Sequence, residues 1–283
     1  MNADLHCHSD VSDGTLRPEA LAARAKANGV ELWALTDHDE VSGQRRASQA
    51  AFELGLPYLT GTEISVTFAA TTVHIVGLGF DLDNAALRAG LAATRDGRKQ
   101  RAMEMSEGLA KVGIPGAYEG ALSFVGNPDL MSRTHFARHL VATGVCRDTQ
   151  EVFRKYLVQG KPGYVAHRWA TLREAVTWIT EAGGLAVIAH PARYKFSANE
   201  EYALFTEFIA HGGRGVEVVT GSHSGADALR YAETALEFDL LASRGSDFHS
   251  PNESHVDLGR LPPLPARLTP IWDALAGRVQ RPA

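Results

Sequence analysis

Short apolar segments recur along this chain, and most are separated by one amphipathic helical pattern. "ADLHC" leads into "RPEALAARAKANG", with Pro18 near the start of the helix and Gly29 just past its end. "VELWALT" then reads as a strand and "SGQRRASQAAFELG" as a helix, followed by the strands "YLTGTEISVTF" and "TVHIVGLGF". Further on, "TLREAVTWITEAGG" precedes "LAVIAHP", a helix near "NEEYALFTEFIAHGG" precedes "GVEVVTG", and "GADALRYAETALEF" precedes "LLASRGSDFHS". About seven core strands alternating with helices predict a parallel α/β sheet, either a barrel or a doubly wound sheet.

One stretch breaks the rhythm. Residues 85–170 carry helical patterns without a convincing apolar strand, which predicts a helical subdomain inserted into a body formed by residues 1–84 and 171–283. "LPPLPARLTP" near the end reads as a proline-rich surface segment, and there is no internal repeat or low-complexity tract. A chain of 283 residues with 45% hydrophobic composition can bury a substantial core. No apolar run is long enough to span a bilayer and no secretory signal begins the chain, so the expectation is a cytoplasmic protein. Two cysteines, Cys7 and Cys146, exclude a disulfide framework and a cysteine-based zinc site. A net charge of −5 speaks against a general nucleic-acid scaffold. It leaves room for an anionic substrate, because bound cations and local arginines can reverse the field inside a cleft. Nothing in the pattern calls for a membrane or an obligate protein partner.

The chemistry concentrates at strand ends. In "DLHCHSDVSDG", His6 and His8 are two residues apart and share one face of an extended strand, with Asp10 and Asp13 following and Cys7 pointing the other way. Alone, this is either a solvated polar terminus or part of a metal site. The later strands settle it. Asp37, His38 and Asp39 follow "ELWAL", Glu63 lies in "GTEIS", His74 in "TVHIVGL", His190 ends "VIAHP", and Asp247 and His249 end "GSDFH". Six strand regions each deliver a histidine or carboxylate, most at the C-terminal end where active sites of α/β barrels assemble. Accident does not account for six such placements.

"DLHCHS", "TDH", "GTE", "VHIVG", "AHP" and "GSDFH", in that order over residues 4–249, resemble the successive motifs of the PHP (polymerase and histidinol phosphatase) family. The resemblance implies a distorted (β/α)7 barrel carrying the inserted helical subdomain. It also implies a trinuclear site: His6, His8 and Asp247 on one metal, Glu63 bridging to a second held by His74 and His190, and Asp13, His38 and His249 on the third. Such mixed ligands suit manganese, zinc or iron, and the resemblance favours manganese. Asp10 and Asp39 read as supporting or capping residues, and Cys7 as a core residue. Clustered divalent ions suit phosphoester hydrolysis. Asp247 is the candidate for moving the proton of the attacking water, with His249 or His38 as candidates to assist the leaving group.

The insertion follows the His74 strand and should hang over the site. Arg98, Arg101, Ala102 and Met105 share one helix face. Ser132 can cap a helix that presents Arg133, Thr134 and His135 at its N-terminus, a place suited to phosphate. Lys161, Arg193 and His223 complete the candidate substrate contacts. "SRTHFARHL", "GKPGYV" and "AHPARY" further resemble the PHP branch that hydrolyses nucleoside 3′,5′-bisphosphates such as pAp to 5′-monophosphates, some members of which remove nucleotides from the 5′ end of short RNA. The resemblance therefore implies a 3′-phosphatase on a small nucleotide, with a 5′→3′ exoribonuclease as the alternative. A non-catalytic metal-binding domain is disfavoured, because all nine expected ligand positions are filled.

Overall fold

The first sheet is small and parallel. In a computed structural model that describes residues 1–281, β1 (Ala3–Asp4), β2 (Leu32–Ala34) and β3 (Tyr58–Leu59) lie side by side, connected by α1 (Pro18–Ala27) and α2 (Gln44–Glu53). The second sheet is mixed. β4 (Gly61–Phe68) and β5 (Thr71–Leu78) pair antiparallel, and β6 (Leu185–Ile188) runs antiparallel to β5. β7 (Gly215–Thr220) and β8 (Leu241–Gly245) then continue parallel to β6.

The all-parallel expectation therefore needs correction. Only Ala69 and Ala70 separate β4 from β5, at φ 45° and 60°. Positive φ at both central residues is the signature of a tight hairpin turn, whereas a parallel return needs a long crossover. The fold is a mixed α/β arrangement. Main-chain bonds also link the two sheets along both edges. Leu5 N–H donates to Arg244 O at 3.0 Å and Asp247 N–H to His6 O at 2.8 Å on one side. Asp39 N–H donates to Glu63 O at 2.9 Å on the other.

Capping chemistry explains several helix starts. α8 (Leu172–Glu181), α9 (Ala198–Ala210) and α10 (Gly225–Glu237) open with reciprocal caps from Thr171 and Glu174, Ser197 and Glu200, and Ser224 and Asp227. Their apolar faces cover the mixed sheet, where Val176, Ile179, Phe205 and Phe208 pack with Ile64, Ile75, Ile188 and Val216. α3 (Ala85–Arg95) joins this same core through Leu87 and Leu91. Its Gly90 lets it approach α8, since a Cβ there would sit 2.4 Å from the Trp178 ring.

A separate apolar cluster belongs to α4 (Arg98–Ala110), α5 (Ala117–Leu122), α6 (Arg133–Ala142) and α7 (Thr149–Val152), built on Met105, Leu109, Phe136, Leu140 and Leu157. A π-helical turn over Phe153–Leu157 follows α7, marked by the bond from Val158 N–H to Phe153 O. No helix among the described residues is long and apolar enough to cross a membrane.

Candidate metal centre and substrate cavity

Period-two alternation sends His6 and His8 to one side of the chain leaving β1, and both are fully buried. Cys7 turns the other way, as expected, into a core with Trp33, whose indole N–H donates to its sulfur at 3.2 Å. Glu63 from β4 is the hub. His74 Nδ1 and His190 Nε2 each lie 2.9 Å from Oε1. His38 Nδ1, His8 Nε2 and His6 Nε2 lie 3.0, 3.2 and 3.3 Å from Oε2. Asp247 Oδ1 is 3.2 Å from His8 Nε2, and Asp13 Oδ1 is 3.3 Å from His249 Nε2.

The backbone is strained where these groups converge. Asp39, His190 and Asp247 all adopt positive φ, at 50°, 28° and 54°. Such conformations persist at functional sites when the surroundings enforce them. Two buried carboxylates outside the cavity lining hold the neighbouring chain in place. Glu217 accepts from His6 Nδ1 at 2.8 Å and from His190 N–H at 2.7 Å. Asp37 accepts from Ser9 and Ser12 hydroxyls at 2.6 Å each, holding the turn beneath Asp13. With its proton on Nδ1, His6 presents the lone pair of Nε2 to the cluster. His249 Nδ1 is fixed likewise by Asp247 O at 2.9 Å.

The electrostatics favour bound cations. Burial alone would raise the carboxyls of Glu63, Asp13 and Asp247, yet neighbouring histidines hold all three well below the usual carboxylate range. Burial opposes protonation of His8, but Asp247 and Glu63 outweigh it and lift its pKa to about 10. His74 shows the opposite balance, with burial pulling it down to about 4.

Glu63 Oε2, Asp13 Oδ1 and His38 Nδ1 are buried without a hydrogen-bond partner, an arrangement that ligation by an ion would explain. Three groups have one donor atom per residue within 4.8 Å of one another: His6, His8, Glu63 and Asp247; His38, Glu63 and His74; and His8, Asp13, His38 and His249. Oxygen and imidazole nitrogen at this spacing suit first-row divalent ions.

Above this floor stands a wall of arginines. One cavity is bordered by Asp13, His38, Glu63, His74, Asp247 and His249 and, facing them, by Arg98, Arg101, Arg133, Arg193 and Thr134. Burial, reinforced by repulsion from Arg133 and Arg98, pushes Arg101 down to about 10. Positive charge crowded in this way around Arg101 would be eased by an anion beside it. Arg98 donates to the carboxylate of Asp39 and stacks 4.5 Å from the centre of the Trp169 ring. Arg193 Nη1 donates to Asp247 Oδ2 at 2.8 Å.

Not every residue singled out from sequence reaches the cavity. Ala102 and Met105 share the face of Arg101 but pack into the cluster of the helical insertion. His135 is buried behind the wall, where its Nδ1 accepts from Ser132 N–H at 3.0 Å and completes the cap of α6. Lys161 is exposed and does not border the cavity. His223 Nε2 accepts from Ala192 N–H at 3.3 Å and thereby braces the turn after His190. Sequence reasoning passed over Trp169, Phe153, Ser65 and Thr72 among the cavity residues, and Glu217 beneath the floor. Glu217 alone left a signal, a carboxylate in the otherwise apolar "GVEVVTG".

A PHP domain model matches residues 4–182. A 3′,5′-nucleoside bisphosphate phosphatase of Chromobacterium violaceum is 50% identical over all of this chain and 99% of its own length. A 5′-3′ exoribonuclease of Haemophilus influenzae is 40% identical over 95% of this chain and 97% of its own. A solved structure from C. violaceum, described as an amidohydrolase with bound sulfate and no metal, superposes with a TM-score of 0.97 at 49% identity, covering 100% of this chain and 99% of that one.

Proposed function

The chain belongs to the PHP domain family, and from that premise we propose that it is a metal-dependent phosphatase acting on nucleoside 3′,5′-bisphosphates such as pAp. The products are the nucleoside 5′-monophosphate and phosphate. One observation carries this reading: a single cavity is lined by a carboxylate and imidazole floor and by four arginines, of which Arg101 and Arg133 are not paired with a carboxylate. The two surfaces offer places for two phosphates of one small molecule. The relative at 50% identity bears the same activity in its name.

In this reading the floor would hold three divalent ions, manganese by preference over zinc or iron. His6, His8 and Asp247 would hold one, Glu63 with His74 and His190 a second, and Asp13, His38 and His249 the third. The three ligand groups and the unpartnered atoms of Glu63 and Asp13 support that assignment. Bound ions would supply an ionised water near neutral pH and neutralise the phosphoryl oxygens and the leaving alkoxide.

The chain's own groups do the rest. Asp247 presents Oδ1 to the floor and takes the proton of the attacking water, while Arg193, half-exposed beside it, turns to the incoming phosphate. His249 or His38, both facing Asp13, would assist the leaving oxygen where its imidazole is not committed to an ion. Arg101, Arg133 and Thr134 hold the 5′ phosphate. Within the insertion of residues 85–170, α3 packs onto the body and α4 to α7 act as the substrate-binding part. The inter-sheet hydrogen bonds support a body built as a distorted (β/α)7 barrel. The setting that fits is the cytoplasm, where small nucleotides are the partners.

The relative at 40% identity favours one alternative, a 5′→3′ exoribonuclease on short 5′-phosphorylated oligonucleotides. Turnover of pAp and histidinol phosphate, followed by phosphate release, and of a 5′-phosphorylated dinucleotide, followed by release of nucleoside 5′-monophosphate, each with manganese, separates the readings. We expect pAp to be turned over fastest. Preference for the dinucleotide would make the chain an exoribonuclease, and preference for histidinol phosphate would remove the nucleotide reading.

A further inference from the structure

Beside the cavity lies a second hollow that shares Thr134, Phe153, Arg193, Asp247 and His249 with it and continues between the helical insertion and the loop after His249. The two differ sharply in charge. Four arginines border the cavity, but Arg193 at the shared boundary is the only arginine or lysine on the groove. Farther out the groove presents Thr149, Gln150, Ser222, Ser254, His255 and Val256, and the carboxylate of Glu253 there is already paired with Arg138. Gln150 Nε2 and His255 Nε2 lie 2.9 Å apart, so the two walls already meet through a polar contact. A phosphate has one suitable place here and an uncharged, hydrogen-bonding ring has the other.

Phe153 stands where the two hollows join. It opens the π-helical turn after α7, and irregular turns of this kind occur frequently at functional sites. The ring is only partly buried and borders both hollows. The guanidinium of Arg133 lies 5.8 Å from its centre. Trp169, the other aromatic of the cavity, is engaged elsewhere. Arg98 and Arg101 lie over its ring at 4.5 and 5.4 Å, and its indole N–H donates to Thr72 at 3.1 Å.

We propose that the groove is the nucleobase subsite of this enzyme and that Phe153 is its stacking platform. This rests on the nucleotide reading above. The ribose then sits at the junction, its 3′ phosphate over the floor, its 5′ phosphate on the arginines and its base directed into the groove. Base stacking on an aromatic side chain is sequence-tolerant, so the platform serves any base.

Phe153→Ala tests this in two ways. In turnover, kcat/KM for pAp and for 3′-AMP should fall together by roughly 5- to 100-fold. That for ribose 3,5-bisphosphate, which lacks the base, should stay within about twofold, and Phe153→Tyr should restore the nucleotide substrates. Comparing substrates on one preparation cancels any loss of folded protein. Without turnover, calorimetric titration should show adenosine 5′-monophosphate binding more tightly than ribose 5-phosphate to the wild type, with the difference collapsing in Phe153→Ala. An equal loss for ribose 3,5-bisphosphate, or a loss confined to substrates with a 5′ phosphate, would show that Phe153 merely steadies Arg133 and would overturn the proposal. If pAp is not hydrolysed by the wild type, the phosphatase reading falls, and the binding comparison still decides whether a base occupies the groove.

Discussion

Glu63 and Arg133 border the same cavity and are held in opposite ways. Glu63 sits on a strand of the body with nitrogens of His6, His8, His38, His74 and His190 all within 3.3 Å. Its backbone is paired on both sides, to β5 and to the chain around Asp37 and Asp39. Arg133 stands at the first turn of α6 in the insertion. Its one hydrogen bond here is a 3.4 Å contact to Leu157 O, beside the Phe153 ring. The floor is fixed before substrate arrives, as metal chemistry requires. Arg133 keeps its donors in reserve, unlike Arg98 and Arg193, which are paired with Asp39 and Asp247, and a donor without a strong protein partner is free to distinguish one substrate from another.

The largest effects should come from damaging the floor. Chelation is expected to abolish activity, with manganese restoring it best. Full turnover by protein shown by elemental analysis to be ion-free would refute a metal-dependent floor. Asp247→Asn should reduce kcat by about 10²–10⁴-fold and change KM far less, because the amide cannot accept a proton. If that variant stays within a few-fold of wild type at unchanged metal content, another group handles the proton.

Damage to the wall should be smaller and should depend on the substrate. A charge-assisted hydrogen bond contributes roughly 1.5–3 kcal/mol, or about ten- to more than a hundredfold in kcat/KM. Wild-type enzyme should therefore hydrolyse pAp much faster than 3′-AMP and leave 5′-AMP untouched. Arg133→Ala should narrow the gap by harming pAp more. Equal turnover of pAp and 3′-AMP by the wild type would show that the arginines do not hold the 5′ phosphate.

The same contrast explains what could be read from the chain. Candidate ligands at strand ends obey a period of two and a fixed topological position, so His6, His8, Asp247 and His249 announce themselves in sequence. Residues of the wall depend on how a helix is rotated when it docks. Spacing put Arg101, Ala102 and Met105 on one face correctly, yet that face is divided between the cavity and the core of the insertion. His135 carried the signature of a phosphate-binding helix start and is instead consumed in capping it. The turn at Ala69 and Ala70 lacks the glycine or asparagine that usually marks such a hairpin, so the antiparallel pair was hidden as well.

How firmly the wall is docked on the floor can be measured separately. Arg138 of α6 makes two bonds to Glu253, at 2.9 and 2.7 Å, reaching the loop that follows His249. Arg138 is largely buried, so removing it should destabilise the fold by about 2 kcal/mol. Arg138→Met should accordingly lower Tm by a few degrees and raise KM for pAp, with a smaller change in kcat. An unchanged Tm would mean that the apolar cluster docks the insertion without this pair.

The smallest effect is expected at Lys161, and it sharpens the contrast most. Lys161 lies in the insertion near the wall in sequence, but it is exposed and outside the cavity. A lysine in that position can contribute only through long-range attraction, which salt screens over about 8–10 Å. For a substrate as small as pAp, Lys161→Ala should leave kcat and KM within about twofold. A longer 5′-phosphorylated oligonucleotide would extend beyond the cavity and could use such a charge. In that case the variant should raise KM for the oligonucleotide selectively, with a shallower dependence on salt than wild type. Parallel titrations with pAp and a short oligonucleotide at two ionic strengths therefore measure how far the working surface extends. A matching loss on pAp itself would show that the wall continues past the arginines and that the boundary drawn here between cavity and solvent is misplaced.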